Sequence, residues 1–135
     1  MTPTRSKYGS KKTTVDGIVF DSAVESRRWL DLQQMARDKL ISKLKRQVAF
    51  TLVRSVKFKG AKRAKPAVKY WADFVYLRDG KRVVEDCKSP ATAALPTFRL
   101  KRHLLLALLD IDLLITTSKD VSRAVRTTAK PKAKP

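Results

Sequence analysis

Apolar residues recur along this chain in two rhythms, one helical and one alternating, and the changes between them mark out its elements. TTVDGIVF sets Asp16-Gly17 between two short β-prone runs, a hairpin signal. Ser22, with Glu25 three residues on, has the form of a capping box and opens a helix reaching Asp38 or Lys39. At 100° per residue, Glu25, Trp29, Leu32 and Ala36 fall within about 40° of one line, so that stripe should face a sheet. A strand over 44–53 follows, with Leu44, Val48, Phe50 and Leu52 expected on one face. VKYWADFVYL and RVVEDCK then flank Asp79-Gly80, a second and stronger hairpin. Pro96 opens a second helix in TFRLKRHLLLALL, whose stripe would carry Phe98, Lys101, Leu105 and Leu108. Asp110 ends that run, and IDLLIT reads as a last strand. The order predicts a mixed α/β domain over 13–116: an αβββαβ core with helices flanking a mixed sheet, preceded by a short β-hairpin.

The ends differ in kind. Residues 1–12 are basic and poor in apolar side chains, and 117–135 close on a Lys/Pro-rich stretch, so both are expected to be flexible cationic tails. With 135 residues, there is room for one core. Lysine and arginine number 31 against 12 acidic residues, a net charge of +19. Setting aside both ends removes ten basic residues and one acidic one, which still leaves the body at +10. Such an excess suits a polyanionic partner, nucleic acid first. Candidate phosphate contacts are Lys57, Lys59, Lys62, Arg63 and Lys65 in the loop before the second hairpin, and Arg99, Lys101 and Arg102 on the second helix. The single cysteine, Cys87, excludes an intrachain disulfide and suits a reducing compartment. The apolar run Leu104–Leu109 is far too short to cross a membrane, and no secretory signal is visible, so a soluble, cytoplasmic protein is expected.

The acidic residues carry more information. If Asp79-Gly80 is a two-residue loop, Arg78 faces Lys81 and Asp73 lies directly opposite Asp86; a bulged turn would set Asp73 against Glu85 or Cys87. Opposed like charges are destabilising, so a compensating group is expected, and two adjacent carboxylates are what Mg²⁺ takes. Lys88 shares the face of Asp86, where an ammonium could orient a water or stabilise charge on a phosphate. Glu25, at the top of the buried stripe, could add a ligand, act as a base, or simply complete the capping box. Cys87, on the other face, is expected to pack, as are Trp29 and Trp71 in the core or site, whereas His103 is expected to be exposed.

Asp73 in YWADFVY and Asp86-Cys87-Lys88 in VVEDCKS resemble the signature of the PD-(D/E)XK nuclease superfamily, with its restriction-endonuclease-like core. KYGSKKTTVDGIVFDSAVESRRWLDL, KLKRQVAF and FRLKRHLLLALLDIDL extend the resemblance to a family of small phage-encoded endonucleases, over roughly residues 7–116. Ala72 stands where the superfamily name has proline, and Asp86 where glutamate is commoner. The resemblance implies that Asp73, Asp86 and the backbone carbonyl of Cys87 hold Mg²⁺, or Mn²⁺ in its place, and that Lys88 positions the nucleophilic water. It further implies that Glu25 completes the site, directly or through water, and that Gln47 matches a polar position of the first core strand. The implied activity is cleavage of DNA, branched DNA such as Holliday junctions included, by a homodimer in the bacterial host cytoplasm. A non-catalytic nucleic-acid-binding module would use the same basic surface but has no use for the carboxylates.

Overall fold

A computed structural model describes residues 12–121. The chain runs β1 (Thr13–Val15), β2 (Ile18–Phe20), α1 (Ala23–Arg37), β3 (Ser42–Val53), β4 (Val68–Arg78), β5 (Lys81–Cys87), α2 (Pro90–Ala93), α3 (Pro96–Leu109) and β6 (Leu114–Thr116). β1 and β2 form the small hairpin, and the main sheet has the order β3-β4-β5-β6, antiparallel except for the parallel β5–β6 pair. This is the expected mixed α/β order, with α2 as an unforeseen addition.

Both tight turns form as their residues dictate. Asp16-Gly17 and Asp79-Gly80 all have positive φ, +52 and +79 in the first pair and +52 and +77 in the second, the requirement of a type I′ hairpin. The second turn pairs Arg78 with Lys81 and carries that register through Phe74 and Glu85. Ser22 caps α1 by accepting from the Glu25 N–H at 3.1 Å, and Asp38 ends the helix. Asp110 closes α3 in the left-handed conformation.

Two cores lie on opposite sides of the main sheet. On the α3 side, Leu52, Tyr70, Ala72 and Val84 pack with Phe98, Leu105, Ile111 and Leu113. On the α1 side, Phe74 and Tyr76 pack with Leu32 and Ile41, and with Trp29, Ala36, Leu44 and Cys87 at the margin. Tyr70, Ala72, Phe74 and Tyr76 have the same parity, so a regular strand would send all four to one face. β4 instead changes faces between Ala72 and Phe74. β3 does the same across from it, because Leu44 packs on the α1 side while Phe50 and Leu52 pack on the other. The single-face expectation for Leu44, Phe50 and Leu52 is therefore corrected. The cause is local: pairing omits Gln47 and Asp73 yet keeps the same register on both sides, and Gln47 has a φ of +49.

Three other expectations change. Leu108 is exposed and takes no part in the buried stripe of α3, which rests on Phe98 and Leu105. Trp71 does not pack: it is 57% exposed, whereas Trp29 stacks on Phe74 with ring centroids 6.0 Å apart. Beyond Thr116 the chain is not simply a tail, since a turn closed by Thr117 and Asp120 brings Val121 into a buried position. The remaining residues of the two expected tails, 1–11 and 122–135, lie outside the described part. Among the described residues no helix is long and apolar enough to cross a membrane.

Candidate active site

The site forms where β4 and β5 begin to part. One step beyond the Phe74–Glu85 pair, Asp73 and Asp86 meet, as the type I′ register requires. There each carboxylate takes over a backbone partner: Asp86 Oδ1 accepts from the Asp73 N–H at 3.0 Å, and Asp73 Oδ2 accepts from the Cys87 N–H at 2.8 Å. This crossed pair replaces ladder bonds and fixes both side chains relative to the main chain. The Tyr70 hydroxyl donates to Asp86 Oδ2 at 2.6 Å, and Lys88 Nζ stands 2.8 Å from the same oxygen. Asp86 is almost wholly buried, and every partner it has is a donor.

Lys88 is held from two directions. Its ammonium pairs with Asp86 and lies 4.9 Å from the centroid of Phe98 at the start of α3. Phe98 also packs against Tyr70, so one aromatic ring braces the cation and the phenol together. Lys88 keeps about a quarter of its side chain accessible, so the amine can reach a bound molecule.

Glu25 enters from α1. Its N–H caps the helix through Ser22, but its carboxylate does not complete the capping box; Oε2 accepts instead from Gln47 Nε2 at 3.3 Å. The same Gln47 nitrogen donates to Asp73 Oδ1 at 3.2 Å, so one neutral amide bridges two carboxylates. The left-handed backbone that interrupts β3 is what turns Gln47 toward them. A non-glycine residue with that φ costs roughly 1 to 3 kcal/mol, a kind of strain that gathers at functional sites.

The electrostatics are unbalanced. Burial, helped by the charges of Asp86 and Glu25, pushes the Asp73 carboxyl up to about 8. Burial and the nearby Asp21 also raise Glu25, against the opposite pull of Arg46. Arg46 is stacked over Phe20 and Trp29, its guanidinium 4.6 and 5.7 Å from the two rings. Burial and the Asp86 carboxylate raise the Tyr70 phenol, which therefore stays a donor. Burial and then Asp73 raise the Cys87 thiol as well, keeping it an inert, packed group.

Among the described residues, no group of three or more His, Cys, Asp or Glu side chains is arranged to hold a metal ion. In donor chemistry and in charge, the residues do suit a hard divalent cation. Asp73 and Asp86 offer carboxylate oxygens, and a cation would offset both the burial and the repulsion that raise Asp73.

Glu25, Gln47, Asp73, Asp86, Cys87 and Lys88 thus come together from α1, β3, β4 and β5 and the residue that follows it. Tyr70, Phe98 and Arg46 belong with them; the sequence places Phe98 only on the apolar stripe of α3 and gives Tyr70 and Arg46 no part in the site. Tyr70 reaches Asp86 only because β4 changes faces at Asp73, which no spacing records. Of the basic candidates, Lys57, Lys59, Lys62, Arg63 and Lys65 are all exposed on the β3–β4 loop, and Arg99 and Arg102 are exposed on α3. Lys101 is half-buried and has no part in the hydrogen bonds or ion pairs of the site. Glu85, next to Asp86 on the opposite face, is fully buried and serves the fold: Arg28 donates to both its oxygens, Tyr76 to Oε1 at 2.7 Å and Thr116 to Oε2 at 2.8 Å.

No curated protein and no solved structure matches this chain. A family model described as "Protein of unknown function (DUF1064)" matches residues 5–118, so the chain belongs to that family.

Proposed function

We propose that this member of the family is a metal-dependent DNA endonuclease with a restriction-endonuclease-like core, acting on branched DNA. One observation carries the reading: Asp73 and Asp86 are cross-bonded at the parting of two strands, with Lys88 on one and Glu25 tied to the other through Gln47. A protein that only bound a polyanion would gain nothing by gathering three carboxylates beside it.

Asp73, Asp86 and the Cys87 carbonyl would hold Mg²⁺ or Mn²⁺, with Glu25 reached directly or through water. When bound, the cation supplies charge stabilisation to the scissile phosphate and acidifies water. The protein's own groups do the rest. Lys88, fixed by Asp86 and Phe98, orients the attacking water and stabilises charge gathering on the phosphate oxygens. The water oxygen bonds to phosphorus as the bond to the leaving sugar oxygen breaks; the water's proton passes to Glu25 and on to solvent, and the leaving oxygen takes a proton from solvent. Tyr70 and the Asp73 N–H keep Asp86 aligned throughout.

The exposed basic loop and α3 would hold the DNA backbone. Two strands need two cuts and each chain has one such site, which makes a homodimer part of the reading. The host cytoplasm is where such a substrate and a reduced Cys87 would both be found.

The test is cleavage of a labelled four-way junction and a linear duplex of the same sequence. Wild type should cut with Mg²⁺ and stop with chelator, and Asp86→Asn should bind but cut at least about a hundredfold more slowly. Undiminished cutting by Asp86→Asn would overturn the assignment. Binding by wild type with no metal-dependent cutting would leave a non-catalytic binding module.

A further inference from the structure

The β3–β4 connection is not a slack loop. Past the end of the main ladder, Val56 and Lys65 pair again through two backbone hydrogen bonds, and the Ala61 N–H reaches the Phe58 carbonyl at 3.0 Å. Gly60 closes that turn with a φ of +83, which a type II turn requires of its third residue. The result is a long arm with an ordered tip. Arg54, Lys57, Lys59, Lys62, Arg63, Lys65 and Lys69 are all exposed on it, and residues 49–72 contain no acidic residue at all.

Two aromatic rings on this arm are left uncovered. Phe58 stands at the tip between Lys57 and Lys59 and is 61% exposed. Trp71 stands at the root, paired with Ala49 and two residues from Asp73, and is 57% exposed. Lone exposed apolar side chains are ordinary on a protein surface. Two large aromatics on the same cationic arm, one at its tip and one at its root among seven basic residues, are a different matter. Cationic tracks with interleaved aromatics are how proteins hold unpaired nucleotides: phosphates on the lysines and arginines, bases stacked on the rings.

We propose that the β3–β4 arm is a binding surface for unpaired bases, with Phe58 and Trp71 as its stacking platforms, so that the favoured DNA is one with single-stranded nucleotides beside a duplex. Trp71 puts one such base next to the carboxylates, and Phe58 catches another further along the strand. A fully paired duplex offers its phosphates to the arm but no open base face. This rests on the DNA-binding half of the proposed function and is independent of cleavage.

The experiment is therefore run in chelator, where nothing is cut. The full chain is titrated with a forked duplex bearing unpaired arms, and with a blunt duplex of equal charge, while tryptophan emission and fluorescence anisotropy are followed. The fork should quench emission, and the blunt duplex should not. Trp71→Ala should abolish the quenching, because Trp29, the other tryptophan, is half-buried and already stacked on Phe74. Phe58→Ala and Trp71→Ala should each weaken fork binding roughly 5- to 100-fold and leave blunt-duplex binding within about twofold. Both rings are exposed, so unchanged thermal unfolding of each variant serves as the control for folding. Equal weakening on both DNAs, or none on either, would overturn the inference while leaving DNA binding intact. Failure of wild type to bind any DNA would instead overturn the proposed function, and this inference with it.

Discussion

Asp73 has an environment that penalises its charge, and this can be read in solution. Its carboxyl is raised from 3.8 to about 8, chiefly by burial and then by Asp86 and Glu25, so the folded state holds the proton more tightly than the unfolded state does. The stabilisation from that proton is complete below about pH 4 and is lost as pH rises through about 8. In chelator, the melting temperature of wild type should therefore decline over this window, and Asp73→Asn should flatten the decline. Adding Mg²⁺ above pH 8 should raise the wild-type melting temperature and leave Asp73→Asn unmoved, since a cation bound only by the folded state stabilises it. A melting profile indifferent to both Mg²⁺ and the substitution would count against these carboxylates as a cation site.

Between elements, Arg28 and Glu85 tie α1 to the sheet. Glu85 is completely buried, with Arg28, Tyr76 and Thr116 all donating to it. Removing one partner of a buried ion pair typically costs about 3 to 5 kcal/mol, because the other is left charged without compensation. Glu85→Leu should fall in that range by chemical denaturation. The double variant Arg28→Met, Glu85→Leu should regain only part of the loss, since the Tyr76 and Thr116 hydroxyls stay without their acceptor. A full recovery would mean that these hydroxyls find other partners.

Much at this level was legible in the sequence. The Ser22 cap, the two type I′ turns and the alternation of apolar residues place α1, β4 and β5 closely, and the turn alone brings Asp73 against Asp86. What was hidden depends on tertiary geometry. The left-handed φ of Gln47 lets two strands exchange faces, and nothing in glutamine's identity announces it. Tyr70 comes to Asp86 through that exchange, Phe98 comes to Lys88 by the packing of α3, and α2, at four residues, is too short to show a period.

Across the whole molecule, α3 sets exposed cations beside exposed apolar side chains. Arg99 and Arg102 of α3 are exposed, and Leu100, Leu106, Leu108 and Leu109 of the same helix, with Leu114 of β6, leave an apolar surface uncovered. A second copy of the chain is the expected cover, as the proposed activity needs two sites. Light scattering at tens of micromolar should then give twice 15.3 kDa, and the double variant Leu106→Glu, Leu109→Glu should run as a single chain. A monomeric wild type would remove the dimer from the reading.

The ordered tip of the arm has one more consequence. Gly60 sits in an exposed, lysine-flanked turn that is open to a protease. A break there would part α1 and β3 from β4, β5, α3 and β6, and neither piece would own the site: Glu25 and Gln47 would be on one, Asp73, Asp86 and Lys88 on the other. The pieces would stay joined by the β3–β4 ladder and the Arg28–Glu85 pair. After such a cut the site would last only as long as those two ties hold the pieces together.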